Sequence, residues 1–274
     1  MAKYAVVVLT NNRTPHVHCF SEIADALAAV LRDLGHDAYV QFGMPPSSYE
    51  ARSIIFGAHH ARYYGVDLPH DSIIYQMEPI GSAYFTREVV GQLNNHEIWE
   101  YSKSNALRYE EVGLRKPKIV PLGAHPALKR FTRVPDPDID VIHFGALSPR
   151  RQSIIMKLLE QGLHVRQVSC AYGQARDKLL ARSKLVLNIH YYNTAAVFES
   201  TRVLYCAANG VPVLSESSDS NEGAGFALFE NYSKLFETTL ELLNNNTALK
   251  NIEHLAKQTY VQTSFYDNVL AALM

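Results

Sequence analysis

The 274-residue sequence predicts an α/β protein made of two successive units, each a parallel β-sheet covered by helices on both sides. Three observations carry this. Short β-branched runs such as YAVVVL (4–9) alternate with segments whose apolar residues recur at helical spacing. The short runs are apolar on both faces, as strands buried on both sides must be. The alternation lapses once, in a polar connector, and then restarts.

In chain order, YAVVVL is broken by TNNRTP, and FSEIADALAAVLRDLGH then reads as a helix that ends on Gly35. DAYVQFG, SIIFGAHH and DSIIYQMEP follow as strands bounded by Gly, Pro or Asp. EIWEYSKSNALRYEEVG reads as a short strand turning through a Ser-x-x-Asn loop into a helix that stops at Gly113, and KIVPLGAHP supplies a further strand. LKRFTRVPDPDID mixes bases, acids and prolines without apolar periodicity and reads as the connector, with the boundary near residue 130. DVIHFGA, HVRQVSC, KLVLNIHYY and VPVLSE are then strands, separated by the helices PRRQSIIMKLLEQG, GQARDKLLARS and FESTRVLYCAANG. The tail TALKNIEHLAKQTYVQTSFYDNVLAALM is helical in pattern throughout.

Composition narrows the function classes. Hydrophobic residues make up 47% and charged residues 19%, so the chain folds rather than staying disordered. A net charge of -1 gives no global field for nucleic acid or an anionic membrane, so no nucleic-acid partner is expected and any bound anion needs a local site. Cys19, Cys170 and Cys206 are scattered and form no C-x-x-C pair, which argues against a disulfide framework or zinc and for a reducing, cytoplasmic setting. The first residues lack the pattern of a signal peptide, and no run approaches the ~18–20 apolar residues of a membrane span. The expectation is a soluble protein, with a membrane-bound substrate, a peripheral membrane contact and a homo-oligomer contact left open.

Parallel sheets bind ligands beyond the carboxyl ends of their strands, and three such loops are unusually polar. TNNRTPHVHCFSE crowds Asn11, Asn12, Arg13, His16, His18 and Ser21 into one strand-to-helix turn; this is either a solvated turn or a source of a histidine general base. In FGALSPRRQS, Gly145 permits close backbone approach, Ser148 and Pro149 suit a helix start, and Arg150 and Arg151 stand in the first turn. Cations there oppose the helix dipole, a conflict that a bound phosphate relieves. In FESTRVLYCAANG, Glu199 and Arg202 are three apart on the more polar face. They are either a surface ion pair or a carboxylate for vicinal hydroxyls beside a cation for a phosphate.

Other motifs carry less. The DPDID acids resemble a metal-holding Asp-x-Asp but lie in the connector, while His59, His60 and His190 lack zinc-site spacing, so no metal is expected. No G-x-G-x-x-G follows the first strand and no P-loop occurs, which removes dinucleotide and P-loop readings.

On KIVPLGAHP, DVIHFGALSPRR, and ARSKLVLNIHYY followed by FESTRVLYCAANGVPVLSE, the chain resembles GT-B glycosyltransferases of glycosyl transferase families 1 and 4, and in places the spore-maturation CgeB-like proteins. The resemblance covers about residues 117–245. It implies two Rossmann-like domains with parallel sheets facing across a cleft: an acceptor-side domain over 1–130 and a nucleotide-sugar-binding domain over 131–258. A C-terminal helix over 259–274 would cross back to the first domain.

It also implies a UDP-sugar or GDP-sugar donor, transfer to a glycan, lipid-linked or small-molecule hydroxyl acceptor, no metal cofactor, and retention of configuration. Arg151 and Arg150 match the bases that hold the donor diphosphate, with Gly145 and Ser148 in the same loop; Arg202 stands ready for phosphate and Glu199 for sugar or ribose hydroxyls. The donor base falls to SCAYGQARD and NIHYYNTAA, with Tyr172, His190, Tyr191, Asn193 and Thr194 as candidate contacts. An inverting enzyme of this fold would instead need a base in the first domain, His16 or His18.

The family's paired glutamates, counted back from Gly210, fall on Val197 and Tyr205. Either the loop before the helix is shorter here, or Glu199 with Arg202 is this chain's own arrangement, and CgeB-like proteins carry an arginine at the spacing of Arg202. The rival readings are a nucleotide-sugar epimerase on the same fold and a non-catalytic nucleotide- or sugar-binding module.

Overall fold

A computed structural model describes residues 1–11, 15–192, 197–218 and 220–274. The chain divides into two compact units, Met1–Ala127 with Ser264–Met274, and Leu128–Thr263.

The first unit opens with β1 (Lys3–Leu9), whose residues from Tyr4 onward are all buried. Helix α1 (Ser21–Asp33) covers it with Ile23, Ala24, Leu27, Val30 and Leu31. Strands β2 (Asp37–Gly43) and β3 (Arg52–Phe56) flank β1, followed by the single turn α2 (Ala61–Tyr64) and β4 (Ile73–Gln76). Helix α3 (Arg87–Leu93), capped by Thr86, occupies a stretch to which the sequence pattern assigns no element. Then come β5 (Glu97–Glu100), α4 (Lys103–Leu107) and β6 (Lys118–Ile119), completing a parallel sheet in the order β2-β1-β3-β4-β5-β6.

The Ser-x-x-Asn motif is the polar key of this unit. Ser102 caps α4 by accepting the Asn105 N–H at 3.1 Å. Asn105, fully buried, donates to Glu100 Oε2 at 2.9 Å and accepts from the Ile80 N–H at 2.7 Å. Glu100, also fully buried, takes the Ser102 N–H and the Tyr109 hydroxyl, so its carboxylate is not stranded.

The second unit runs β7 (Ile139–Phe144), α5 (Pro149–Glu160), β8 (Val165–Val168), α6 (Gln174–Ala181), β9 (Ser183–Asn188), α7 (Ser200–Ala208) and β10 (Val213–Glu216). Strand β11 (Leu228–Glu230), helix α8 (Leu235–Leu243) and helix α9 (Asn246–Val261) complete it. Three residues are too few to show alternation, and β11 is accordingly unread in the sequence. The order is β11-β10-β9-β7-β8, all parallel. The chain steps from β7 to β8 on one side and then to β9 on the other, so the topology reverses between β7 and β9. That is where an open parallel sheet leaves a crevice at its carboxyl edge. Two of the DPDID acids pair locally: Asp138 with Arg182, and Asp140, already in β7, with Lys184 at 2.7 Å.

The helical tail breaks at 262–264, and α10 (Phe265–Leu273) belongs to the first unit, where it packs on α1. Ser264 caps it, Phe265 and Val269 are fully buried, and the Phe265 N–H donates to Ala124 O at 3.2 Å. Lys118 Nζ reaches Ala272 O at 2.7 Å, and Asn268 donates to Pro121 O at 2.9 Å. Gly123 makes this approach feasible, because a Cβ there would lie 2.6 Å from the Phe265 backbone nitrogen. Backbone cannot swing aside as a long side chain can. Gly123→Ala is therefore expected to cost about 1–3 kcal/mol of stability, typical of forced overpacking. Hydrogen exchange of residues 264–274 checks it, the variant showing early exchange in α10 while α1 stays protected.

Candidate functional site

The carboxyl edge of the second sheet is built from β7, β9 and β10. At the end of β7, Gly145 adopts φ +134°, a conformation side-chain-bearing residues rarely take, and its N–H donates to Val168 O at 2.9 Å. Three residues on, Ser148 caps α5, accepting from the Arg151 N–H at 3.5 Å, and Pro149 fills the first helical position. Arg150 and Arg151 thus enter in the first turn of α5. Opposite them, β9 ends at Asn188, and Glu199 precedes α7 with Arg202 in its first turn.

Arg151 and Arg202 converge over Gly145. A Cβ on Gly145 would lie 2.8 Å from Arg202 Nη2 and 3.6 Å from Arg151 Nη1, so the missing side chain is the space in which both guanidinium groups meet. Arg151 is buried; its Nε donates to Ile189 O at 2.8 Å and its Nη1 to Ala146 O at 2.7 Å, while the Tyr191 ring lies 5.3 Å from its guanidinium carbon. Burial first, and then the charge of Arg202, pull its pKa down to about 10, which leaves it charged at neutral pH. Arg202 donates through Nη1 to Asn188 Oδ1 and lies over the Phe144 ring at 5.4 Å. Asn188 is held in turn by donating to Ser215 Oγ at 2.8 Å.

The carboxylate common to the two cations is Glu199, 3.8 Å from Arg151 Nη2 and 3.9 Å from Arg202 Nη1, too long for hydrogen bonds. Its side chain keeps 33% exposure. Burial pushes its pKa up, but Arg202, Arg151 and His190 together outweigh this and hold it below its ordinary value of 4.5.

Arg150 is spent differently. Its Nη1 and Nη2 form a bidentate pair with Glu216 at 2.6 and 2.7 Å, Nη1 also donates to His190 O at 3.0 Å, and the guanidinium stacks on the Tyr232 ring at 4.2 Å. Glu216 further accepts the His190 N–H at 2.9 Å, and His190, buried, has Nε2 3.1 Å from Ser217 O. Arg150 and His190 therefore brace the edge of the site. Tyr191 is 40% exposed beside it, and Tyr172 is half-buried in the loop between β8 and α6. Asn193 and Thr194, like Asn12 and Arg13, lie outside the described residues.

His16 and His18 are both exposed, in a turn of 3-10 helix (Pro15–Phe20) of the first unit, with the His18 ring 5.3 Å from Phe42. Glu199 belongs to the second unit. Sequence reasoning missed Asn188, Glu216 and His143. The available signal was a polar residue inside an apolar strand run, in KLVLNIH, VPVLSE and DVIHFG. Among the described residues no group of three or more His, Cys, Asp or Glu side chains gathers to hold a metal, and no helix is long and apolar enough to cross a membrane.

Against known proteins, this architecture matches the GT-B glycosyltransferase fold. WaaG, a glycosyltransferase involved in lipopolysaccharide biosynthesis, superposes with a TM-score of 0.60 over 99% of this chain and 98% of its own, at 12% identity. AviGT4, a glycosyltransferase involved in avilamycin A biosynthesis, gives 0.54 over 99% of both chains at 15% identity. A mutant of T4 phage BGT in complex with UDP-glucose gives 0.57 over 97% of this chain and 96% of its own at 14% identity. These likenesses establish the fold.

No family model matches the sequence. Among curated proteins, an uncharacterized protein of Acanthamoeba polyphaga mimivirus is 32% identical over 124 residues, 43% of this chain and 41% of its own length. A second from the same virus is 31% identical over 137 residues, 46% of this chain and 16% of its own. The chain thus spans less than half the length of these relatives.

Two predictions follow from the geometry at Gly145 and Glu199. Gly145→Ala, strained at φ +134° and colliding with Arg202 Nη2, should fold yet bind inorganic pyrophosphate at least about tenfold more weakly in calorimetry, the worth of one displaced charged hydrogen bond. The lowered pKa of Glu199 means its carboxylate adds stability above pH 4.5, and this contribution is lost as pH falls through the lower folded-state value. Denaturation of Glu199→Gln beside the wild type across pH 3–7 should therefore show a stability gap at pH 7 that closes at the acid end.

Proposed function

We propose that the protein transfers a glycosyl group from a nucleoside diphosphate sugar to a hydroxyl acceptor, with the donor diphosphate held by Arg151 and Arg202. The observation that carries this reading is the charge imbalance over Gly145: two guanidinium groups, both largely buried, against one half-buried carboxylate. The net positive charge left over favours an anion, and backbone N–H groups at the start of α5 add to its pull.

The chemistry suits a departing diphosphate. As the bond from the anomeric carbon to the phosphate oxygen breaks, negative charge gathers on the leaving group, and cations already fixed by Ile189, Ala146 and Asn188 stabilise it without reorganising. Fixed guanidinium groups can do here what a divalent cation does elsewhere, which supports a metal-independent transfer. Glu199, with part of its carboxylate exposed, takes hydroxyls of the sugar or ribose, and Tyr191 offers an exposed ring beside Arg151. The GT-B fold, and the UDP-glucose and UDP complexes of T4 phage BGT, support a nucleotide-sugar donor, although one of the latter also contains Mn2+. Retention of configuration is the stereochemical outcome implied by the family resemblance.

A thermal-shift series with UDP, GDP, ADP, CDP and dTDP tests the reading. One of them at about a hundred times its Kd should stabilise the protein by about 2.7 kcal/mol, and Arg202→Met should weaken that ligand at least about tenfold. Donor hydrolysis with the matching nucleotide sugar should survive EDTA, and NMR of the product's anomeric proton reads retention against inversion. Silence toward all five diphosphates would sink the assignment.

A further inference from the structure

Beneath the anion site two buried polar atoms lack hydrogen-bond partners: Nε of Arg202, a donor, and Nε2 of His143. His143 is fully buried on β7, two residues before Gly145, in a run otherwise occupied by the core residues Val141 and Ile142. Its Nδ1 lies 2.9 Å from Leu187 O. A carbonyl oxygen only accepts, so Nδ1 carries the proton and, in the neutral ring, Nε2 is an acceptor. The ring is neutral: burial, then the charges of Arg202 and Arg151, drive its pKa down to about 3 against the weaker pull of Leu187 O.

A buried acceptor left unpaired has lost its hydration without replacement, and so has a buried donor. An apolar residue at position 143 would avoid the first loss. The Arg202 guanidinium reaches over the end of the same strand: its Nη2 would lie 2.8 Å from a Cβ on Gly145, two residues beyond His143. Arg202 also heads the charges acting on His143.

We propose that His143 is a positioning residue of the anion site: when a phosphate or diphosphate loads the site, Arg202 Nε–H donates to His143 Nε2, and the guanidinium is locked with its Nη1 and Nη2 edge toward the anion. Asn188 and His143 then tie down one Nη1 proton and the Nε proton, and the remaining N–H groups form an end-on fork for two phosphate oxygens. A protonated imidazole could not serve, since it would present a donor and a second charge to a cation. The inference rests on the donor-diphosphate reading.

The test uses the full chain and inorganic pyrophosphate in isothermal titration calorimetry. His143→Phe fills the volume without an acceptor, and His143→Gln places an amide oxygen where Nε2 stands. Pyrophosphate affinity should fall about tenfold in His143→Phe, the worth of one hydrogen bond to a charged group, and return to within about threefold of wild type in His143→Gln, a residual under one such bond. The ligand-free melting temperatures of the two variants should not follow that order. Equal affinity of His143→Phe and wild type overturns the inference, as does an equal fall in both variants. Failure of the wild type to bind pyrophosphate overturns the anion site itself. Should His143→Phe not fold, His143→Leu takes its place with the same expected loss.

Discussion

Two guanidinium groups that must share one carboxylate over a glycine set the terms for the carboxyl edge of the second sheet. Like charges brought together out of water repel, and the lowered pKa of Arg151 records that repulsion together with its burial. The arrangement is tolerable because each cation has neutral acceptors: Ile189 O and Ala146 O for Arg151, Asn188 Oδ1 for Arg202. Those acceptors dissipate little charge. The site therefore stays electropositive in a partly dry place, where attraction for an anion is stronger than at an open surface.

The same constraint explains the uncharged residues around the two cations. Glycine at position 145 suits both the space beside Arg202 and its φ, and position 188 offers Arg202 an amide oxygen without adding a charge. Arg150 shows the alternative fate. Adjacent to Arg151 on α5 but about 100° round the helix, it faces β10 and finds Glu216 in a bidentate pair. One arginine of the pair braces the sheet edge, and the other keeps its charge for the site. Sequence adjacency made them look equivalent; helical geometry separates them.

How much was legible follows from the range of each signal. Strand runs, helix spacing and the turn at Ser148–Pro149 are local, and they locate β7, α5, β9 and α7 and the loops between them. Gly145, Arg151, Glu199 and Arg202 are visible for the same reason, since each stands in a strand-to-helix turn or the helix turn that follows. Asn188, Glu216 and His143 stand as polar residues inside apolar strand runs, and their partners lie on elements distant in sequence, so the local pattern marks them as unusual without saying what they meet. Likewise the three-residue β11 exists by pairing with β10 rather than by pattern, and Gly123 is explained only by α10, whose first residue, Phe265, lies far along the chain.

The most direct measurement is a crystal structure of the protein grown with the nucleoside diphosphate that stabilises it most. Phosphate oxygens within hydrogen-bond distance of Arg151 and Arg202, above the Cα of Gly145 and with Glu199 turned from between the two guanidinium groups, are the predicted result. A diphosphate bound elsewhere in the second unit, with Glu199 still lying between Arg151 and Arg202, would contradict the assignment of the charge imbalance to donor binding.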